Sequence, residues 1–173
     1  MERLFSITHP ETPAEPGSEG FRRAVRALVL RGRQTLLLYT ERYDDFSLPG
    51  GGVAEGEDLE TALLRELREE TGAEEARILA PFGWIDERRP WYGGIEVMRM
   101  HSFVYRCAVD GPLGEPRMEA YEARNGMRPL WIDIDEAIAH NRRLMARRDP
   151  KQGFSVERET RVLELALAHR LAG

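Results

Sequence analysis

Three glutamates, Glu66, Glu69 and Glu70, follow shortly after three consecutive glycines at Gly50, Gly51 and Gly52. Asp58 suits a helix N-cap, acids fill the first turn, nothing from Leu59 to Thr71 interrupts a helix, and Gly72 supplies a C-terminal stop. The spacing therefore predicts a glycine turn leading into a helix over 59–71. Leu59, Ala62 and Leu63 set an inward stripe, and i+3 and i+4 spacing continues it onto Glu66, Glu69 and Glu70 where more leucines would be due. Each like-charge pair at i+3 or i+4 costs an isolated helix roughly 0.2 to 0.5 kcal/mol. A hard divalent cation would offset that cost, because magnesium takes one or two carboxylates while keeping waters and phosphate oxygens. The plain alternative is a solvated acidic face, the usual place for a charge run. Acids on the apolar stripe, directly after a glycine turn, argue against it.

Gly51, five residues, Glu57, seven residues, then Arg65-Glu66-Leu67-Arg68-Glu69-Glu70-Thr71-Gly72-Ala73 resembles the Nudix box of the Nudix hydrolases. Every polar and glycine position matches. Ala73 alone departs, where the family prefers a larger aliphatic residue. So many fixed positions in so short a stretch make the motif specific. The resemblance implies hydrolysis of a nucleoside diphosphate linked to another moiety, with Mg2+ or Mn2+. It makes Glu66, Glu69 and Glu70 the metal-binding carboxylates, adds the Gly50 carbonyl as a further ligand, and pairs Arg65 with Glu57 or Glu69 to orient the acids. A phosphoanhydride is a polyanion, so metal charge is needed to screen it and to activate water.

The elements that must hold this box come next. A chain of 173 residues is long enough for a core of its own. The expected organisation is an irregular arm over 1–20, punctuated by Pro10, Pro13 and Pro16, and one domain over 21–173. Leu4, Phe5 and Ile7 could make a short edge strand, and the arm could pack on the fold or on a second subunit in a homodimer. Net charge is −5, with 25 basic and 30 acidic residues, which gives no global field for DNA or long RNA. The single cysteine, Cys107, forms no intrachain disulfide and suits a reducing cytoplasm. No apolar run reaches membrane-span length.

Phe21 to Leu30 and Gln34 to Tyr39 read as two strands joined at Gly32. Arg22, Arg23 and Arg26 are rim charges by default, although one could reach a substrate phosphate. Arg42 and Tyr43 stand a few residues before the glycines, near enough to contact substrate or simply to face solvent. Ala76 to Ile85 reads as a strand broken at Pro81, Ile95 to Val109 as a long strand, and 89–94 as the turn between them. That segment, with Arg88, Arg89, Trp91 and Tyr92, offers cations for phosphate and aromatic faces for a base, worth about 1 to 3 kcal/mol per stacked base. The aromatics could equally cover the hairpin. Further on, 128–132 reads as a short strand, 133–147 as a helix carrying Arg142, Arg143 and Arg147 with Arg148 just beyond, and 155–171 as a last helix.

Alternating strands and helices predict an α/β sandwich with a mixed central β-sheet, and the resemblance implies its Nudix form, an α/β/α sandwich. The resemblance also implies one more glutamate, metal ligand or general base, from the 111–127 loop, with Glu122 first and Glu119 second. In the family a proline or a tyrosine sixteen to eighteen residues past the box separates ADP-ribose enzymes from dinucleoside polyphosphate enzymes. Pro90 lies seventeen beyond Ala73 and Tyr92 nineteen, which leans toward an ADP-ribose or nucleotide-sugar substrate. Two enzyme alternatives are a damaged-nucleoside-triphosphate hydrolase and an RNA 5'-end pyrophosphohydrolase. A third alternative is a Nudix-fold sensor that binds a nucleotide without cleaving it.

Overall fold

The protein is described by a computed structural model covering residues 1–147 and 153–171. Seven strands, β1 (Arg3–Thr8), β2 (Glu19–Arg31), β3 (Gln34–Thr40), β4 (Asp45–Ser47), β5 (Glu75–Pro90), β6 (Val97–Asp110) and β7 (Met127–Asp133), form one mixed sheet. The helices are α1 (Leu59–Thr71), α2 (Ala120–Arg124), α3 (Ile134–Arg147) and α4 (Ser155–Leu171). The order is β1-β5-β6-β2-β3-β4, with β7 also on β3; β1–β5 and β6–β2 run parallel and the other pairs antiparallel.

Strand periodicity divides the core between two faces. Val25, Ala27 and Val29 of β2 point to α1 and pack with Ala62, Leu63, Leu67 and Tyr105. Leu28, between them in sequence, points the other way, with Leu37, Phe46, Ile85 and Val104, against Ile134, Ile138, Val162 and Leu163 of α3 and α4. The expected α/β/α sandwich is thereby built, with helices on both faces.

Of the two readings open for the N-terminal arm, residues 3–8 take the edge strand, parallel to β5 and burying Ile7, because alternating apolar residues there have a free sheet edge to pair with. Two local expectations need correction. Pro81 does not break its strand: β5 runs on through bulges between Ile78 and Ala80 and between Pro81 and Gly83, which absorb the missing N–H. Consequently Arg88, Arg89 and Pro90 belong to β5, paired with Arg99, Met98 and Val97, and the turn begins only at Trp91. Arg148 lies outside the described residues. Among the described residues no helix is long and apolar enough to cross a membrane.

Candidate active site

Asp58 caps α1 through bonds from the Glu60 and Thr61 N–H groups, and Gly72 ends it in the left-handed conformation that glycine adopts without strain. The buried stripe of α1 is Ala62, Leu63, Leu67, Glu70 and Thr71. Leu67 keeps the stripe apolar where Glu66 was expected to continue it, so Glu66 stands half-buried beside the stripe, Glu70 lies within it against the glycine loop, and Glu69 turns outward with 45 % of its side chain exposed. The loop is bound to β2: the Ala27 and Val25 N–H groups donate to the Pro49 and Gly51 carbonyls at 2.8 and 3.0 Å. Among the described residues no donor meets the Gly50 carbonyl. The Gly50 N–H donates to Glu70 Oε2 at 2.6 Å, and a Cβ on Gly51 would stand 2.7 Å from Glu66 Oε2. Glycine at both positions lets helix and loop close on each other.

Arg65 occupies the space between the acids. Its Nε and Nη2 grip Glu57 at 2.9 and 3.1 Å, Nη1 reaches Glu66 at 2.8 Å and Glu69 at 3.2 Å, and Nη2 also donates to the Gly52 carbonyl. Hydrogen bonds from Arg65 hold the Glu57 carboxyl below its ordinary pKa. Burial pushes Glu66 up against the pull of Arg65. Burial pushes Glu70 well up, and the Glu66 and Glu122 charges add to it while the Gly50 N–H opposes it. Among the described residues no three His, Cys, Asp or Glu side chains stand close enough together to enclose a metal as they lie. Arg65, drawing Glu66 and Glu69 to itself, accounts for that spread. The donor set nonetheless fits a hard divalent cation: the buried Glu70 and half-buried Glu66 carboxylates beside a backbone carbonyl with no donor.

The acids line a cleft of about 930 Å³. Arginines line it as well, Arg22, Arg23 and Arg26 of β2 and Arg89 of β5, and from the loop before α2 comes Arg117. Such a cleft, lined by carboxylates and guanidiniums together, is suited to a polyphosphate chain. A family model described as NUDIX domain matches residues 20–152. The chain belongs to the Nudix family. Its activity is accordingly that of a pyrophosphohydrolase acting on phosphoanhydride bonds.

Two proteins named RNA pyrophosphohydrolase resemble this Nudix chain. That of Rhodospirillum rubrum is 25 % identical over 146 residues, 75 % of this chain and 83 % of its own. That of Wolbachia pipientis is 45 % identical over 124 residues, 65 % and 75 % respectively. A NUDIX hydrolase structure from Nitrosomonas europaea shares the fold at a TM-score of 0.51 and 21 % identity, covering 69 % of this chain and 76 % of that one.

The Nudix cleft gathers Gly50, Arg65, Glu66, Glu69, Glu70, Arg89, Tyr92, Glu119 and Glu122 from the residues expected at a site. Four others fall outside its lining. Arg42 is exposed and tied to Asn125 Oδ1 at 3.1 Å, with Tyr43 beneath its guanidinium. Arg88 pairs with Glu19 at 2.9 Å. Trp91 stacks on Tyr92 and receives the Arg22 and Arg89 guanidiniums at 5.7 and 4.8 Å, so it supports cleft residues without lining the cleft. Glu122 is buried, accepting from the Glu119 N–H at 2.8 Å and the Tyr121 hydroxyl at 3.0 Å, whereas Glu119 is exposed.

Sequence reading missed Arg117, Tyr121, Ser155, Arg158 and Glu159, all of which line the cleft. For Glu159 a signal was present. It stands three residues after Val156 and four before Leu163, both buried, so an acid again interrupts an apolar helix stripe. The α3 arginines carry no such signal: Arg142 pairs with Glu164 at 2.8 Å on the surface.

Proposed function

We propose that this Nudix enzyme removes pyrophosphate from the 5'-triphosphate end of RNA, with Mg2+ or Mn2+ as cofactor. The observation that carries this reading is the cleft itself, about 930 Å³, in which half-buried Glu66 and buried Glu70 share the lining with Arg22, Arg23, Arg26 and Arg89. The two relatives bearing the name RNA pyrophosphohydrolase support it. Pro90, which leaned toward ADP-ribose, pairs with Val97 at the end of β5 and is not among the residues lining the cleft.

Glu66, Glu70 and the Gly50 carbonyl would hold the cation, with Glu69 at the rim. When bound, it screens the phosphates and acidifies water. Arg65 sets the Glu66 and Glu69 carboxylates in place. Arg22 and Arg23 take phosphate oxygens, a role for which the planar guanidinium fork is suited. Glu122 accepts the proton of the attacking water, its carboxylate held by the Tyr121 hydroxyl; a positioned base of this kind contributes about 10² to 10⁴ in rate. Tyr92, 74 % exposed at the mouth, offers a face to a base.

The test is incubation with magnesium and a panel of 5'-triphosphorylated oligoribonucleotide, ADP-ribose, a dinucleoside polyphosphate and nucleoside triphosphates. The expected result is a 5'-monophosphorylated oligonucleotide, formed with the highest kcat/KM of the panel. Faster conversion of ADP-ribose to AMP and ribose 5-phosphate would overturn the RNA assignment.

A further inference from the structure

Apart from the acids of α1, five charged side chains pack on one another beside the cleft: Arg26 of β2, Glu87 and Arg89 of β5, and Arg158 and Glu159 of α4. Glu87 is 0 % exposed, Glu159 1 % and Arg158 3 %. Arg158 spends its fork on the two acids. Its Nε and Nη2 donate to Glu159 Oε1 at 3.0 and 2.6 Å, and its Nη1 donates to Glu87 Oε2. Glu159 is then saturated, because Oε1 also takes Arg26 Nε at 3.3 Å and Oε2 takes the Leu48 N–H at 3.3 Å.

Arg89 is different. Its Nε lies 3.3 Å from Glu87 Oε1 but out of hydrogen-bond alignment, and both atoms are buried without a hydrogen-bond partner among the described residues. Three cations thus share two anions. Glu70 also attracts Arg26, but in the reading above its charge serves the metal. The cluster is short of one negative charge where an uncompensated ion is strongly unfavourable. Burial and the neighbouring Arg158 charge lower the proton affinity of Arg26, and burial with the Glu87 attraction opposing it lowers that of Arg89, as crowding of cations requires. Arg26, Arg89 and Arg158 all open on the cleft. Two of the five residues come from α4, which lies wholly beyond residue 152, where the family match ends.

We propose that Arg26 and Arg89 form a phosphate subsite in the cleft, and that Glu159 and Glu87 are positioning residues that aim their guanidiniums. The inference rests on the reading that the substrate carries a polyphosphate chain. A phosphoryl group entering there supplies the missing anion and satisfies the unspent donors of Arg89. The subsite acts without the metal, which separates it from the acids on α1.

Inorganic tripolyphosphate is therefore titrated calorimetrically into the full chain with a chelator present, and hydrolysis kinetics are measured with magnesium. Arg89→Gln is expected to weaken tripolyphosphate binding at least tenfold and to raise KM by a similar factor, with kcat within about threefold. Arg89→Lys, which keeps the charge and loses the fork, should fall between. Glu159→Gln should show the same split of KM against kcat, and Glu159→Asp should recover part of it; a change of stability alone would move neither ratio. Thermal melting establishes that each variant is folded. Unchanged tripolyphosphate affinity in folded Arg89→Gln would overturn the subsite while leaving RNA turnover as found. If the native chain cleaves no triphosphorylated RNA, yet Arg89→Gln loses tripolyphosphate, the subsite stands and the RNA reading fails.

Discussion

Replacing Gly51 by alanine isolates the placement of Glu66 from its charge. Gly51 has a negative φ, so alanine is no burden on the backbone. Its Cβ, however, would stand 2.5 Å from Glu66 Cδ, whereas ordinary contact begins at 3.4 Å. The carboxylate must retreat by the difference, about 0.9 Å. Because the obstacle is the far end of a flexible side chain, the retreat costs stability only about 1 kcal/mol, the scale of an off-rotamer side chain. Catalysis is less forgiving: a displacement of about 1 Å from the productive geometry can cost roughly 100-fold, or about 2.7 kcal/mol of barrier. Gly50→Ala is the contrasting change, since its Cβ would meet the backbone carbonyl of Val25 at a φ of 140°, and neither can yield without moving β2. The assay is kcat/KM for magnesium-dependent hydrolysis beside the melting temperature for both variants. The expected pattern is a folded, slow Gly51→Ala and a poorly folded Gly50→Ala. A Gly51→Ala enzyme with native kcat/KM would refute the role given to Glu66.

Glu122→Gln should lower kcat by about 10² to 10⁴ while Glu119→Gln changes it little; native turnover in both would exclude a base from this loop. Asp45 is buried, and burial together with the Glu159 charge raises its carboxyl from 3.8 to about 6. Its folded-state pKa being the higher one, its contribution to stability is full below pH 4 and is lost as pH rises through 6. Asp45→Asn should thus stabilise the protein by roughly 3 kcal/mol at pH 8 and by almost nothing at pH 4, as read by urea denaturation; equal effects at both would contradict the assignment. Leu63, fully buried between α1 and the sheet, should cost about 2 to 5 kcal/mol on change to alanine, measured the same way.

Much of this site is written locally. The Asp58 cap, the Gly72 stop and the spacing of Glu66, Glu69 and Glu70 depend on residues close together in sequence, so α1 is legible with its ends. The last helix is too, and the mixed sandwich follows from strands alternating with helices. The reading failed where contacts from elsewhere in the chain decide. Arg88 and Arg89 look like turn residues beside Pro90, yet pairing with β6 draws them into β5. For residues 3–8 the sequence left arm and edge strand both open, and only the β5 edge decides for the strand.

The sequence by itself determined the chemistry: carboxylates on a helix after a glycine bend, and hence a family whose work is on phosphoanhydrides. Only the tertiary structure decided what shares the cleft with those acids. Arg26 and Glu159 are 133 positions apart, and no local periodicity ties one to the other. Closing the sheet and laying α4 across it brings their charges together, because two buried ions far apart in sequence are tolerable only when the fold makes them neighbours.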